Sequence, residues 1–228
     1  NAAESISVIK GVAAIEYGGV TLGGVVSVEP GAISSDPHLH GGVNYVFQTN
    51  GRGHTLSTRL EQSAPWAAWR LTGTLKAIGD RRAPDHFLTN TGVREANVSA
   101  QLQRNWNDRW NSKLYYSLFN TEIGILRGAH ISNLTDLQRA IGREEPFFTE
   151  DEFSYNINAP RQSVQHHLWK FQTQYLIDDQ RFIHLTYGGQ LNRRREFDVR
   201  RSGRTDIPAL SLRLFSHQAQ GDYTFLGR

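Results

Sequence analysis

Glu95-Ala96-Asn97-Val98-Ser99-Ala100-Gln101-Leu102-Gln103-Arg104-Asn105-Trp106 alternates almost without a break. Ala96, Val98, Ala100, Leu102 and Trp106 fall on one side of an extended chain. Glu95, Asn97, Ser99, Gln101, Gln103 and Asn105 fall on the other. Successive side chains of a strand point to opposite faces, so the spacing predicts a strand with one apolar and one polar face. The same period recurs upstream. Residues 39–49 set Gly41, Val43, Tyr45 and Phe47 against Gly42, Asn44 and Gln48, and 54–62 set Leu56, Thr58 and Leu60 against Ser57, Arg59 and Glu61. Residues 67–78 set Trp69, Leu71, Gly73, Leu75 and Ala77 against Arg70, Thr72, Thr74 and Lys76. Downstream, strands are predicted over 110–122, 165–177 and 181–193, with an eighth beginning near Leu210.

The connections differ in length by position. Those after the second, fourth and sixth strands are short. Those after the third, fifth and seventh are long, spanning 79–92, 123–164 and an Arg-dense 194–209. Only the first hairpin, turning at Asn50-Gly51-Arg52-Gly53, breaks the rule; Asn-Gly supplies the positive φ that a tight turn demands. Within the longest loop, Asn133-Leu134-Thr135-Asp136 predicts a capped helix start, continued by Leu137, Ala140 and Ile141 and ended by Gly142. Short turns at one end and long loops at the other are the asymmetry of bacterial outer-membrane barrels. Strands of about 9–14 residues suffice to cross a bilayer when tilted. Trp66, Trp69, Trp106 and Trp110 are predicted at the short-turn ends and Trp169 near the opposite end, as two interfacial girdles.

Composition narrows the choice. The chain has 228 residues, no Cys and no Met, so no disulfide, thiolate metal site or Cys nucleophile is possible in it. A net charge of +3 is too small to imply nucleic acid. No run approaches the roughly 20 apolar residues that a membrane helix needs. An apolar content of 38% is low for a conventional core, and a barrel with a polar lumen accounts for it. A soluble sheet with one face in water is the rival reading.

Before the strands lies Ile6-Ser7-Val8-Ile9-Lys10-Gly11, then Tyr17-Gly18-Gly19 and Leu22-Gly23-Gly24-Val25-Val26-Ser27-Val28-Glu29-Pro30. This wording resembles the end of the plug domain of TonB-dependent outer-membrane receptors, with Val12 where that family usually has proline and Lys10 where arginine is common. Further stretches resemble the same family: Phe87 to Gly92, Gly128 to Ile131 with Asn133 to Leu137, Phe147 to Glu150, and Asn192 to Arg201. The resemblance implies an all-β fold: the end of a plug over 1–30, a linker over 31–38, and from 39 to 228 the first strands of a transmembrane antiparallel barrel. A lumen that holds a plug needs about 22 strands, of which eight would be present. It further implies active import across the Gram-negative outer membrane, energised by TonB through a segment outside these residues. The implied cargo is a scarce solute, most often in that family an iron complex such as a siderophore or haem. A passive porin-like channel is the alternative. No cofactor and no catalytic group is implied.

The plug motif on this reading comprises Lys10, Gly11, Tyr17, Gly18, Gly23 and Gly24. Lys10 inside a barrel would take Glu61 or Glu95 as its partner, or else be solvated in a wet lumen. Candidate extracellular ligand contacts are His86, His130, Arg194, Arg195, Arg200 and Arg201. The arginines suit an anionic ligand or lipopolysaccharide phosphates, with pairing to the acidic loop as the plainer reading. That loop, with Glu144, Glu145, Glu150, Asp151 and Glu152, does not have the spacing of a calcium loop. His166 and His167 point to opposite faces of a strand and cannot chelate together.

Overall fold

The computed structural model describes residues 3–12, 14, 23–129, 131, 133–199, 203 and 205–226. Strands β1 (Ala3–Ile9) and β2 (Val25–Pro30) pair antiparallel as a small separate sheet. Then come β3 (His40–Gln48), β4 (Gly53–Ala64) and β5 (Ala67–Ile78). A minor hairpin of β6 (Arg81–Arg82) and β7 (Phe87–Leu88) interrupts the next loop. The long strands follow: β8 (Val93–Asn107), β9 (Trp110–Gly124), β10 (Arg161–Asp178), β11 (Arg181–Phe197) and β12 (Leu210–Phe225). Helix α1 (Leu134–Ile141) lies between β9 and β10, with the Asn133 side chain accepting from the Asp136 amide at its start and Gly142 at its end.

The large sheet is an antiparallel meander in the order β3-β4-β5-β8-β9-β10-β11-β12. Directly paired residues share a face, so the register states which side chains lie together. One row runs Val43, Thr58, Gly73, Val98, Leu118, His167, Leu191 and Phe215. On the opposite face, another runs Gly42, Arg59, Thr72, Ser99, Ser117, Leu168, Gln190 and Ser216. The alternation in the sequence thus becomes one apolar and one polar surface across all eight strands.

Among the described residues, the buried side chains are more often polar than apolar. Buried polar residues include Ser57, Glu61, Arg70, Thr72 and Ser99, while Leu60, Leu71 and Leu75 are exposed, the last at 59%. Hydroxyl pairs satisfy the polar side: Thr72 with Ser99 at 2.6 Å and Ser57 with Thr74 at 3.3 Å. Among the described residues, β3 and β12 each pair on one side only, and every residue of β3 is exposed.

Four expectations need correcting. Strands β8 to β12 are 15–18 residues long, beyond the expected 9–14. Their extra length lies mainly toward the long loops, where pairing continues after the alternation has faded. Arg194 and Arg195 consequently belong to β11, not to a loop. Trp169 sits mid-strand opposite Tyr116 and over Gly189, where an added Cβ would fall 2.4 Å from the indole, so it does not form an upper girdle. Trp106 and Trp110 do lie at the short-turn end, stacked 5.2 Å apart. Lastly, the first hairpin is a four-residue turn over 49–52 with positive φ at Gly51 and Arg52 rather than at Asn50.

Candidate functional site

The site that the fold builds is on the polar face, where the linker after β2 crosses the sheet. The register places His40, Glu61, Arg70, Gln101, Tyr115 and Lys170 in one rung across six strands. Arg70 is 3% exposed and is the centre of this rung. Its Nε donates to Glu61 Oε2 at 2.6 Å, and its two terminal nitrogens donate to Gly31 O at 2.8 Å and Ala32 O at 2.6 Å. Gln101 Oε1 accepts a further bond at 3.1 Å. Arg59 Nη2 donates to both oxygens of Glu61. A guanidinium presents a fork of donors, which lets one side chain bind a carboxylate and two carbonyls at once. Ser63 N to Asp36 O at 3.2 Å and Gln62 Nε2 to Pro37 O at 2.9 Å pin the same linker further on.

Beside this clamp, residues 28–33 and the polar faces of β8, β9 and β10 enclose a cleft of about 760 Å³. Gln101, Gln103, Lys113, Tyr115, Lys170 and Gln172 line its sheet side. Amides, a phenol and two ammonium groups, with the Glu29 carboxylate facing them from the linker side and Leu168 among them, suit a hydrated polar solute. No nucleophile-and-base pair stands among the lining residues.

A second polar knot ties the long loops together. Asp80 is 2% exposed and accepts from Thr91 N at 3.1 Å, while its own amide donates to Ser154 O at 2.9 Å. Asn90, at φ +63°, has its Nδ2 within 2.9, 3.1 and 2.9 Å of the carbonyls of Ile125, Asn158 and Pro160. Its Oδ1 accepts from Asn158 N at 2.8 Å. Burial raises the Asp80 carboxyl above its ordinary range, against the backbone amides that bond it and with a further push from Glu150. The folded knot therefore takes up a proton more readily than the unfolded chain. Its stability is greatest below the ordinary carboxylate value and declines as pH rises through the raised folded value. Hydrogen-exchange protection at Thr91 and Asn158, taken relative to the intrinsic exchange rate at each pH, is expected to rise on acidification from about pH 7 to about pH 4, and an Asp80→Asn variant to lose that dependence. An identical dependence in the variant would assign it to another group.

The residues expected from sequence are only partly brought together. Gly24 has φ +102°, and an added Cβ would lie 2.6 Å from Ile9 O, so glycine is required there. Gly11 also has positive φ, at +70°; Gly23 does not, and its Cβ position is open. Tyr17, Gly18, His130, Arg200 and Arg201 lie outside the described residues. Lys10 is exposed, and the expected pairing fails because Glu61 is held by Arg59 and Arg70, and Glu95 by Lys76 at 3.3 Å. His86 lies in the loop of the β6–β7 hairpin, with Nδ1 buried and without a hydrogen-bond partner among the described residues. Arg194 pairs with Glu196 at 2.6 Å on its own strand rather than with the acidic loop, while Arg204, like Arg200 and Arg201, lies outside the described residues. Among the described residues, no group of three His, Asp or Glu side chains converges to hold a metal. Arg70, Asp80 and Asn90 were not singled out by sequence. Arg70's place on a polar strand face was readable, but its partners depend on register.

No protein-family model matches the chain, no curated protein matches it, and no solved structure matches it.

Proposed function

We propose that this chain is part of a Gram-negative outer-membrane receptor of the TonB-dependent kind, importing a scarce solute with energy delivered through TonB. The observation that carries the reading is the Arg70 clamp, in which a buried guanidinium on the polar face is bonded to the linker that leads from the small β1–β2 sheet. A plug attached to the lumen wall calls for such a bond, whereas a passive pore leaves its polar face to water. The exposed Leu60, Leu71 and Leu75 on the other face suit hydrocarbon and would be a liability in a soluble binding module. In lipid an open strand edge is not tolerated, so β3 and β12 require edge partners. The cargo to test first is an iron complex, siderophore or haem, with the 760 Å³ cleft as its path beside the linker. The chain is assigned no catalytic role.

Uptake of ferric siderophore, haem and cobalamin by cells expressing the full-length protein, with and without TonB, tests the reading. Loss of uptake without TonB is the expected result. Uptake indifferent to TonB would favour the passive channel, and a protein monodisperse without detergent would favour the soluble module.

A further inference from the structure

The apolar face changes character toward the long loops. Leu118, His167, Leu191 and Phe215 form its last largely apolar row across β9 to β12. The next row is Asn120, Gln165, Arg193 and Arg213. Beyond it come Glu122, Ser163, Arg195 and Ser211, then Gly124, Arg161 and Phe197. Four arginines thus cap this part of the band with Glu122 as the single carboxylate in these rows, and Arg161 Nε already lies 3.0 Å from it. Arg193 and Arg213 stand directly opposite each other on adjacent strands, both exposed. Paired residues have Cβ atoms about 5 Å apart, and like charges so placed repel. Among the described residues, no ion pair neutralises either one. Arg161 lies 4.2 Å over the Phe197 ring and Arg195 5.9 Å from it, so both guanidinium groups are held in place.

We infer that this cluster docks the phosphate groups of an anionic membrane lipid. The inference rests on the reading that the apolar face meets hydrocarbon. Rows on one face are spaced by about 7 Å along a strand, so the arginines lie within one to three rows of the apolar band, at the depth of a headgroup. Guanidinium groups bind phosphate through two parallel hydrogen bonds, and an intervening phosphate turns the Arg193–Arg213 repulsion into a bridge. Arg194 supplies an internal control, because it lies on the opposite face and pairs with Glu196.

The test uses full-length protein in neutral detergent, titrated with diphosphoryl lipid A, with phosphatidylcholine and with inorganic phosphate. The wild type is expected to retain lipid A and not phosphatidylcholine. The double variant R193Q/R213Q should bind lipid A on the order of thirtyfold more weakly, while R194Q binds as the wild type does. Equal binding by R193Q/R213Q overturns the proposal, as does an equal loss in R194Q. Inorganic phosphate displacing the lipid at matching concentration would reassign the site to a free anion and overturn the lipid commitment. A protein that needs no detergent removes the membrane reading and this inference with it, whereas a detergent-dependent protein indifferent to R193Q/R213Q removes the inference alone.

Discussion

Replacing Arg70 with alanine is expected to free the linker from the sheet and to cost roughly 3–5 kcal/mol, the range for breaking a buried charge pair by removing one partner. The deletion strands the Glu61 carboxylate, which is left with Arg59 alone, and two carbonyls at Gly31 and Ala32. The Ser63 amide, which donates to Asp36 O of the linker, should lose hydrogen-exchange protection, and protease should reach the linker in the folded full-length protein. Arg70→Lys should fall between, since one ammonium can meet Glu61 but lacks the fork that holds both carbonyls. Under the transport reading, bilayers containing the alanine variant should also conduct. Unchanged linker protection in Arg70→Ala would mean that the clamp does not hold the small sheet in place.

The second large effect is expected at Asn90. Its side chain bonds four backbone groups around Ile125, Asn158 and Pro160, and its backbone has a φ of +63°. Asn90→Ala should destabilise the loop knot by roughly 2–4 kcal/mol, from unpaired buried carbonyls and an amide plus the strain of a left-handed alanine. Asn90→Gly should recover only the conformational part, about 1 kcal/mol. Protease cleavage within 143–159 reads the effect directly. Equal resistance in Asn90→Ala and the wild type would show that these loops are held by other contacts, such as Tyr155 Oη to Arg52 O at 2.7 Å.

Much of this architecture was legible beforehand because it depends on local chemistry. The helix at 134–141 is started by Asn133, whose side chain accepts from the Asp136 amide three residues on, and it ends at Gly142 with a φ of −84° that any residue adopts. The short connections after the second, fourth and sixth strands of the large sheet are found as two-residue turns at Pro65-Trp66, Asp108-Arg109 and Asp179-Gln180. Trp169 was misplaced because its height in the sheet depends on where β10 begins. Arg161 to Gln165 carry no alternation to announce that start, although they pair fully with β9 and β11.

By itself, the sequence determined the eight strands, their two faces and the inequality of their connections. A period of two is a property of one extended segment and needs no partner. Tertiary structure alone decided which polar groups meet. Glu61 and Arg70 are nine residues apart, Arg70 and Gly31 are thirty-nine apart, and Asn90 and Pro160 are seventy apart. The opposition of Arg193 to Arg213 likewise exists only in the paired register. A one-residue slip of its strand would carry Glu61, Arg70, Arg193 or Arg213 to the other face. Register is selected by the whole sheet at once, through the turns that close it and the faces that must match across eight strands, so no single stretch of sequence contains it.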